Sequence, residues 1–367
     1  MMKFSRPTGT QLAFLFFLLA VAIIAPHVLM AAPFLLVGNT MVYNDISPRT
    51  TAYADRRLLT RAKKNNILGQ WGQMRPLPSK STQTIKFRRY NKLAVATVPL
   101  AEGVKPDGKV LTKNDIECTL KQYGDFIEIS DVIMDTHEDP VLNESIDILG
   151  QQAEETIDVL RAGVLTAGTN VVFANGAARA DVNDVFTRDT FRTITRILKA
   201  QEAKPITSFI TAGPDIGTTP IPPAFVVVCH SDAQPDLERT AGWVAVQEYP
   251  THMGIMNGEA GSIGEFRFVF DNNLTPWADI GAAANTHAVL STTGVNADVY
   301  PLLIFGQNAY GIVPLGGKSG VSTYVRNPKP EKTDPLAQTG SVGWKTYNGT
   351  VILQDLWMCR LETALKG

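Results

Sequence analysis

Residues 138–168 read EDPVLNESIDILGQQAEETIDVLRAGVLTAG. Asp139 and Pro140 open the stretch as a helix cap and a first-turn proline. Leu142, Ile146, Leu149, Ala153, Ile157, Leu160 and Val164 then recur at steps of three or four, the period of one helix face. Gly168 supplies the stop. The pattern predicts a helix over 139–166, roughly 40 Å long at about 1.5 Å per residue. That is far longer than an average globular helix. Its acids Glu144, Asp147, Glu154, Glu155 and Asp158 lie off the apolar stripe and are expected to face water.

Working outward, β patterns dominate. Thr84–Tyr90 (TIKFRRY) alternates Ile85 and Phe87 with Lys86 and Arg88, the signature of a half-buried strand. A polar excursion follows, with a turn signal at Pro106-Asp107-Gly108. Ile116, Cys118 and Leu120 restart an alternating strand that runs toward Ile129. The two strands predict an extended hairpin too long for a tight turn, an arm that buries little against its own chain. A second helix is expected from Thr187 to about Ala203, with Arg188, Arg192, Arg196 and Lys199 as a basic stripe. Ala224–Cys229, Glu265–Phe270 and Val299–Val313 (broken by Gly306) read as strands. Pro328–Pro335 reads as a linker, and Val351–Leu361 as one buried closing strand. The fold class is α+β, without the βαβ alternation of a doubly wound sheet.

Composition excludes several classes of protein. The 367 residues are 44% hydrophobic and 19% charged, which is globular and not disordered. Lys and Arg number 34 against 35 acids, so no net charge draws the whole chain onto nucleic acid or membrane. Cys118, Cys229 and Cys359 lie far apart and form neither a disulfide framework nor a zinc pair. The N-terminal 1–40 segment has two bases ahead of the apolar run LAFLFFLLAVAIIAP (12–26), the layout of a secretory signal or membrane anchor. A start at Met30 or Met41 is the competing expectation. Farther in, Ser47-Pro48 opens a short helix made basic by Arg56, Arg57, Arg61, Lys63 and Lys64, read as a solvated face.

Site chemistry is sparse. Gly311–Ser319 (GIVPLGGKS) lacks the glycine spacing of a phosphate loop. Gly258, Gly261 and Gly264 lack dinucleotide-binding spacing. The five histidines form no metal set. His230 with Asp232, after a strand, is the one catalytic candidate, and its structural reading is favoured. Cys229 between valines reads as a buried thiol. The sequons at Asn143, Asn273 and Asn348 read as accidental. No catalytic, cofactor or metal residue is therefore assigned.

Five stretches resemble the phage N4-type family of major capsid proteins, which carry the HK97-like capsid fold. They are NDISPRTTAYADRRLL (44–59), LTKNDIECTLKQYGDFIEISD (111–131), EDPVLNESIDILGQQAEETID (138–158), VYPLLIFGQNAYGIVPLGG (299–317) and DPLAQTGSVGWKTYNGTVILQDLWMCRLETA (334–364). The resemblance implies an N-terminal arm at 41–75, an E-loop at 76–120 and a peripheral domain at 121–177 with a spine helix at 139–166. It further implies an axial domain at 178–262, return strands at 263–330 and a C-terminal linker and closing strand at 331–367, with 1–40 as an added extension. Function would be self-assembly into an icosahedral shell around packaged double-stranded DNA. Partners would be further copies, a portal, a scaffold or decoration protein, and DNA phosphates without sequence readout. No cofactor or small-molecule substrate is implied, and assembly would occur in the host cytoplasm. That compartment disfavours a working secretion signal and favours the later start. The alternatives are a cellular nanocompartment shell of the same fold and, from another class, a secreted or membrane-tethered binding protein.

Overall fold

The computed structural model describes residues 40–41, 66–100, 102–105, 107–136, 141–207, 223–249, 256–284, 287–315, 321–330, 332 and 334–366. The apolar run at 12–26, the expected helix after Ser47 and the Asp139-Pro140 cap lie outside these residues. In chain order the strands are β1 (Thr40–Met41), β2 (Gln73–Met74), β3 (Thr84–Tyr90), β4 (Lys113–Thr119), β5 (Lys121–Ser130), β6 (Val171–Phe173), β7 (Phe225–Cys229) and β8 (Trp243–Ala245). They continue with β9 (Glu259–Ile263), β10 (Phe266–Phe270), β11 (Tyr300–Phe305), β12 (Tyr310–Pro314), β13 (Val321–Arg326), β14 (Thr339–Ile352) and β15 (Met358–Thr363). One sheet runs β1-β5-β14-β12-β2 with β13 also on β14, a second runs β6-β15-β11-β7-β10-β9-β8, and β3-β4 stand alone.

The long helix spans Val141–Leu165. Leu149 and Ala153 pack with Ile129 of β5 and Val342 and Trp344 of β14. Trp344 also donates its indole N–H to Gln152 Oε1 at 3.0 Å, which fixes the helix across the sheet. Every second residue of β14 from Gly340 to Asn348 is buried, so only one face of that sheet meets the helix.

The seven-stranded sheet is covered on both faces. Phe225, Val227 and Cys229 of β7 meet Phe191, Ile194 and Leu198 of the second helix, Arg188–Ala200. Val226 and Val228 face Ala162 and Leu165 at the end of the long helix. Double coverage accounts for the unbroken apolar run of β7. Thr187 caps the second helix by accepting from Thr190 N.

Two expectations are corrected. Asp158 does not face water. It is 1% exposed, and its carboxylate accepts from Leu68 N at 3.1 Å and Asn273 Nδ2 at 3.3 Å. Arg161, one turn on, donates to Asn66 Oδ1. One backbone N–H and one side-chain amide from segments distant in sequence satisfy the acid, which periodicity does not reveal. Nor is Val351–Leu361 one strand. β14 ends at Ile352, a short 3-10 turn (Asp355–Trp357) intervenes, and β15 enters the other sheet. Asp355 holds that turn by accepting from Thr169 N at 3.0 Å.

The junction between the helix and the second sheet is polar. Arg360 Nη1 donates to Thr166 O and, at 2.9 Å, to Gly168 O, so a cation closes the C-terminal end of the long helix. Its Nε donates to Glu362 Oε1 at 2.7 Å. Arg179 grips the same carboxylate through Nε and Nη2, both at 2.7 Å, and lies 3.6 Å above the Trp277 ring. The Glu362 side chain is fully buried. Glu362→Ala leaves Arg360 unpaired in the interior and is expected to lower the unfolding free energy by about 3–5 kcal/mol. Urea denaturation followed by circular dichroism measures the loss, and Glu362→Gln, which keeps the acceptor oxygen, is expected to lose less.

Candidate assembly surface

β3 and β4 pair antiparallel from Thr84↔Thr119 to Tyr90↔Lys113, the extended hairpin expected from the alternation. Period two separates its faces. Ile85 and Phe87 pack toward Cys118, Leu77, Leu120 and Val313, which roots the hairpin in the body. The opposite face carries cross-strand ion pairs, Lys86–Glu117 at 2.6 Å and Arg88–Asp115 at 2.9 Å. The Arg88 guanidinium holds the Asp115 carboxyl below the usual carboxylate range, and the hydrogen bond to Glu117 raises Lys86.

Backbone pairing continues to Asn91 N→Thr112 O at 2.9 Å. Beyond it, no helix or strand occurs among the described residues before β4. Val95, Val98, Leu100, Val104, Val110 and Leu111 stand in water there, with Val98 81% exposed and Val110 83% exposed. A run of large apolar side chains this open marks a contact surface. Beyond the apolar root, polar links join the arm to the body among the described residues. Arg89 donates to Gln354 Oε1 and lies 5.9 Å over Trp357, and Lys92 pairs with Glu202.

A second open surface lies on the sheet face away from the long helix. Register sets Phe126 of β5 and Tyr324 of β13 on either side of Gly343 of β14. Both aromatic residues are more than half exposed. They flank a shallow groove of about 770 Å³. A Cβ at position 343 would come within 2.8 Å of Phe126 Cβ, so the glycine is what allows the ring to lie across the strand.

The remaining candidates are structural. His230 Nδ1 accepts from Asp232 N at 3.2 Å and caps a 3-10 turn, while Tyr300 Oη donates to Asp232 Oδ2 at 3.0 Å. Cys118, Cys229 and Cys359 are buried; burial pushes the Cys359 thiol up to about 12 and raises Cys229 further. Gly311–Pro314 lie inside β12, and residues 316–320 fall outside the described residues. Asn273 and Asn348 are buried. In the basic stripe, Arg192 pairs with Asp189 and Lys199 with Glu265, while Arg188 and Arg196 are exposed. Sequence reasoning missed the Phe126–Gly343–Tyr324 face, because its residues lie on three strands separated by up to about 200 positions. No group of acids, histidines and cysteines suited to a metal occurs among the described residues.

A two-sheet α+β body, a long helix across one sheet and a projecting hairpin define a shell-forming class, the HK97-like capsid fold. The Ralstonia phage GP4 capsid aligns with a TM-score of 0.64 at 14% identity, over 89% of this chain and 99% of that one. The cyanophage Pam1 capsid aligns with a TM-score of 0.61 at 12% identity, over 90% and 100%. The major capsid protein of Pseudomonas phage KPP21 is 23% identical over 270 residues, 68% of each chain. The family model described as phage capsid protein matches residues 113–360. The chain belongs to the phage capsid protein family and acts as a phage major capsid protein, a component of the virion shell.

The ion pairs on the hairpin carry a pH dependence. A depressed carboxyl pKa contributes stability that is present above the unfolded value, about 3.9, and lost as pH falls through the folded value. Hydrogen exchange across β3 and β4 is expected to accelerate below about pH 4, before exchange in β7 and β11, where no carboxylate pairs the strands. Equal protection of both regions at low pH would contradict this.

Proposed function

We propose that the chain forms the shell of an N4-type phage head, with residues 41–75 as its N-terminal arm and 76–120 as its E-loop. The peripheral domain is 121–177 with the spine helix, the axial domain 178–262, the return strands 263–330, and the C-terminal linker with its closing strands 331–367. The five stretches quoted above support the subfamily. The uncovered apolar tip between Lys92 and Leu111 carries the assembly reading, because those side chains gain from burial only on another copy.

Each contact of this kind is weak alone, and several per subunit act together to stabilise a closed shell. Packaged DNA meets the inner wall through phosphates, so the shell takes any sequence. A portal at one vertex and a scaffold or decoration protein complete the assembly, which takes place in the host cytoplasm. The subunit works by geometry and not by catalysis.

Electron microscopy of the purified protein is expected to show capsomer rings or shells. Replacing residues 92–111 with Asn-Gly, a two-residue hairpin turn, is expected to leave a folded subunit with unchanged circular dichroism that does not form shells. A shortened variant that assembles normally would remove the hairpin from the mechanism.

A further inference from the structure

A cavity of about 340 Å³ lies where the hairpin meets the body, lined by Arg75, Lys86, Arg88, Arg89, Gln354 and Trp357 among others, with no carboxylate among the described lining residues. Lys86 and Arg88 are answered across the hairpin by Glu117 and Asp115. Arg75 and Arg89 have no carboxylate partner among the described residues. Arg89 meets only the neutral Gln354 and the Trp357 ring. The cavity thus holds two cations in excess, Arg75 exposed at its rim and Arg89 half-buried.

The opposite excess sits elsewhere on the same chain. Asp147, Gly150 and Glu154 occupy positions i, i+3 and i+7 of the long helix, and all three are exposed. Neither acid has a cationic partner among the described residues. The long helix carries no lysine, and its single arginine, Arg161, is buried. Gly150 weakens the helix interior, yet a Cβ there would meet nothing within 4 Å. Nothing in the described subunit requires the missing side chain. A neighbour lying close against the helix would.

We propose that the cationic cavity at the foot of the hairpin receives Asp147 and Glu154 from the long helix of a second copy, with the gap at Gly150 admitting the rim of the cavity. Cavity and acidic row are different patches of one chain, so the contact is heterologous and propagates from copy to copy until a ring closes. Opposite charges steer the encounter and fix its register, and like charges there oppose it. Carboxylates of a second copy are favoured over nucleic acid as the occupant because the chain itself displays the matching acids. The inference rests on the self-assembly reading and assigns that assembly a specific contact.

Charge exchange tests it, with full-length subunits scored for shells by sedimentation and electron microscopy and for folding by thermal melting. Arg75→Glu, Asp147→Lys and Glu154→Lys are each expected to keep the wild-type melting temperature and to lower shell yield about tenfold. Arg75→Glu combined with Asp147→Lys or with Glu154→Lys is expected to restore most of the yield. Helix variants that assemble like wild type, or exchanged pairs that do no better than Arg75→Glu alone, overturn the proposal. So do Arg75→Glu shells formed at normal yield but depleted of DNA, which would make phosphate the occupant. Wild-type subunits that form no shells would refute the self-assembly reading and this contact with it.

Discussion

The Glu362 carboxylate, fully buried between Arg179 and Arg360, is the constraint on which the rest of the subunit depends. Burying charge is costly unless every charge is paired and hydrogen-bonded. Here the pairing does architectural work. Arg360 ties β15 to the carbonyls at the end of the long helix, and Arg179, stacked on Trp277, ties the same acid to the chain after β6. Helix, β15 and flanking loop therefore have one mutually consistent placement. Arg161 and Asp158 act likewise one and two turns back, fixing residues 66–68 and Asn273 to the helix.

With the body fixed in this way, the hairpin is left with work that the body does not need. Its root is apolar and packed, its shaft is zipped by ion pairs, and its tip is apolar and open. That gradient from buried to exposed is the mark of an element whose partner is another molecule. Exposed pairs such as Lys92–Glu202 contribute little in water, so the tip is not strongly held to its own subunit. Assembly then becomes a balance between weak internal polar links and many simultaneous external ones.

Much of this was legible in the sequence. The long helix, the β3–β4 strands and the β7 run appear within a few residues of their expected positions, because apolar period is a local signal. The strand β14 was not legible. Gly340, Gly343 and Gly349 sit between the expected linker at 328–335 and the expected strand at 351–361, and each makes room for a neighbour whose position is known only in three dimensions. Asp158 was misread for the same reason, since its partners at Leu68 and Asn273 lie about 90 and 115 positions away.

The sequence by itself determined the α+β class, the long helix, the projecting hairpin and, through five idiosyncratic stretches, the phage capsid family. Local periodicity encodes elements, and long unusual stretches encode descent. Only the tertiary structure decided which charges are buried, how the chain divides between two sheets at Asp355, and that Phe126, Gly343 and Tyr324 share one open face. The cationic cavity at the foot of the hairpin was decided there too. Those properties depend on distances between residues far apart in the chain, which no local pattern records.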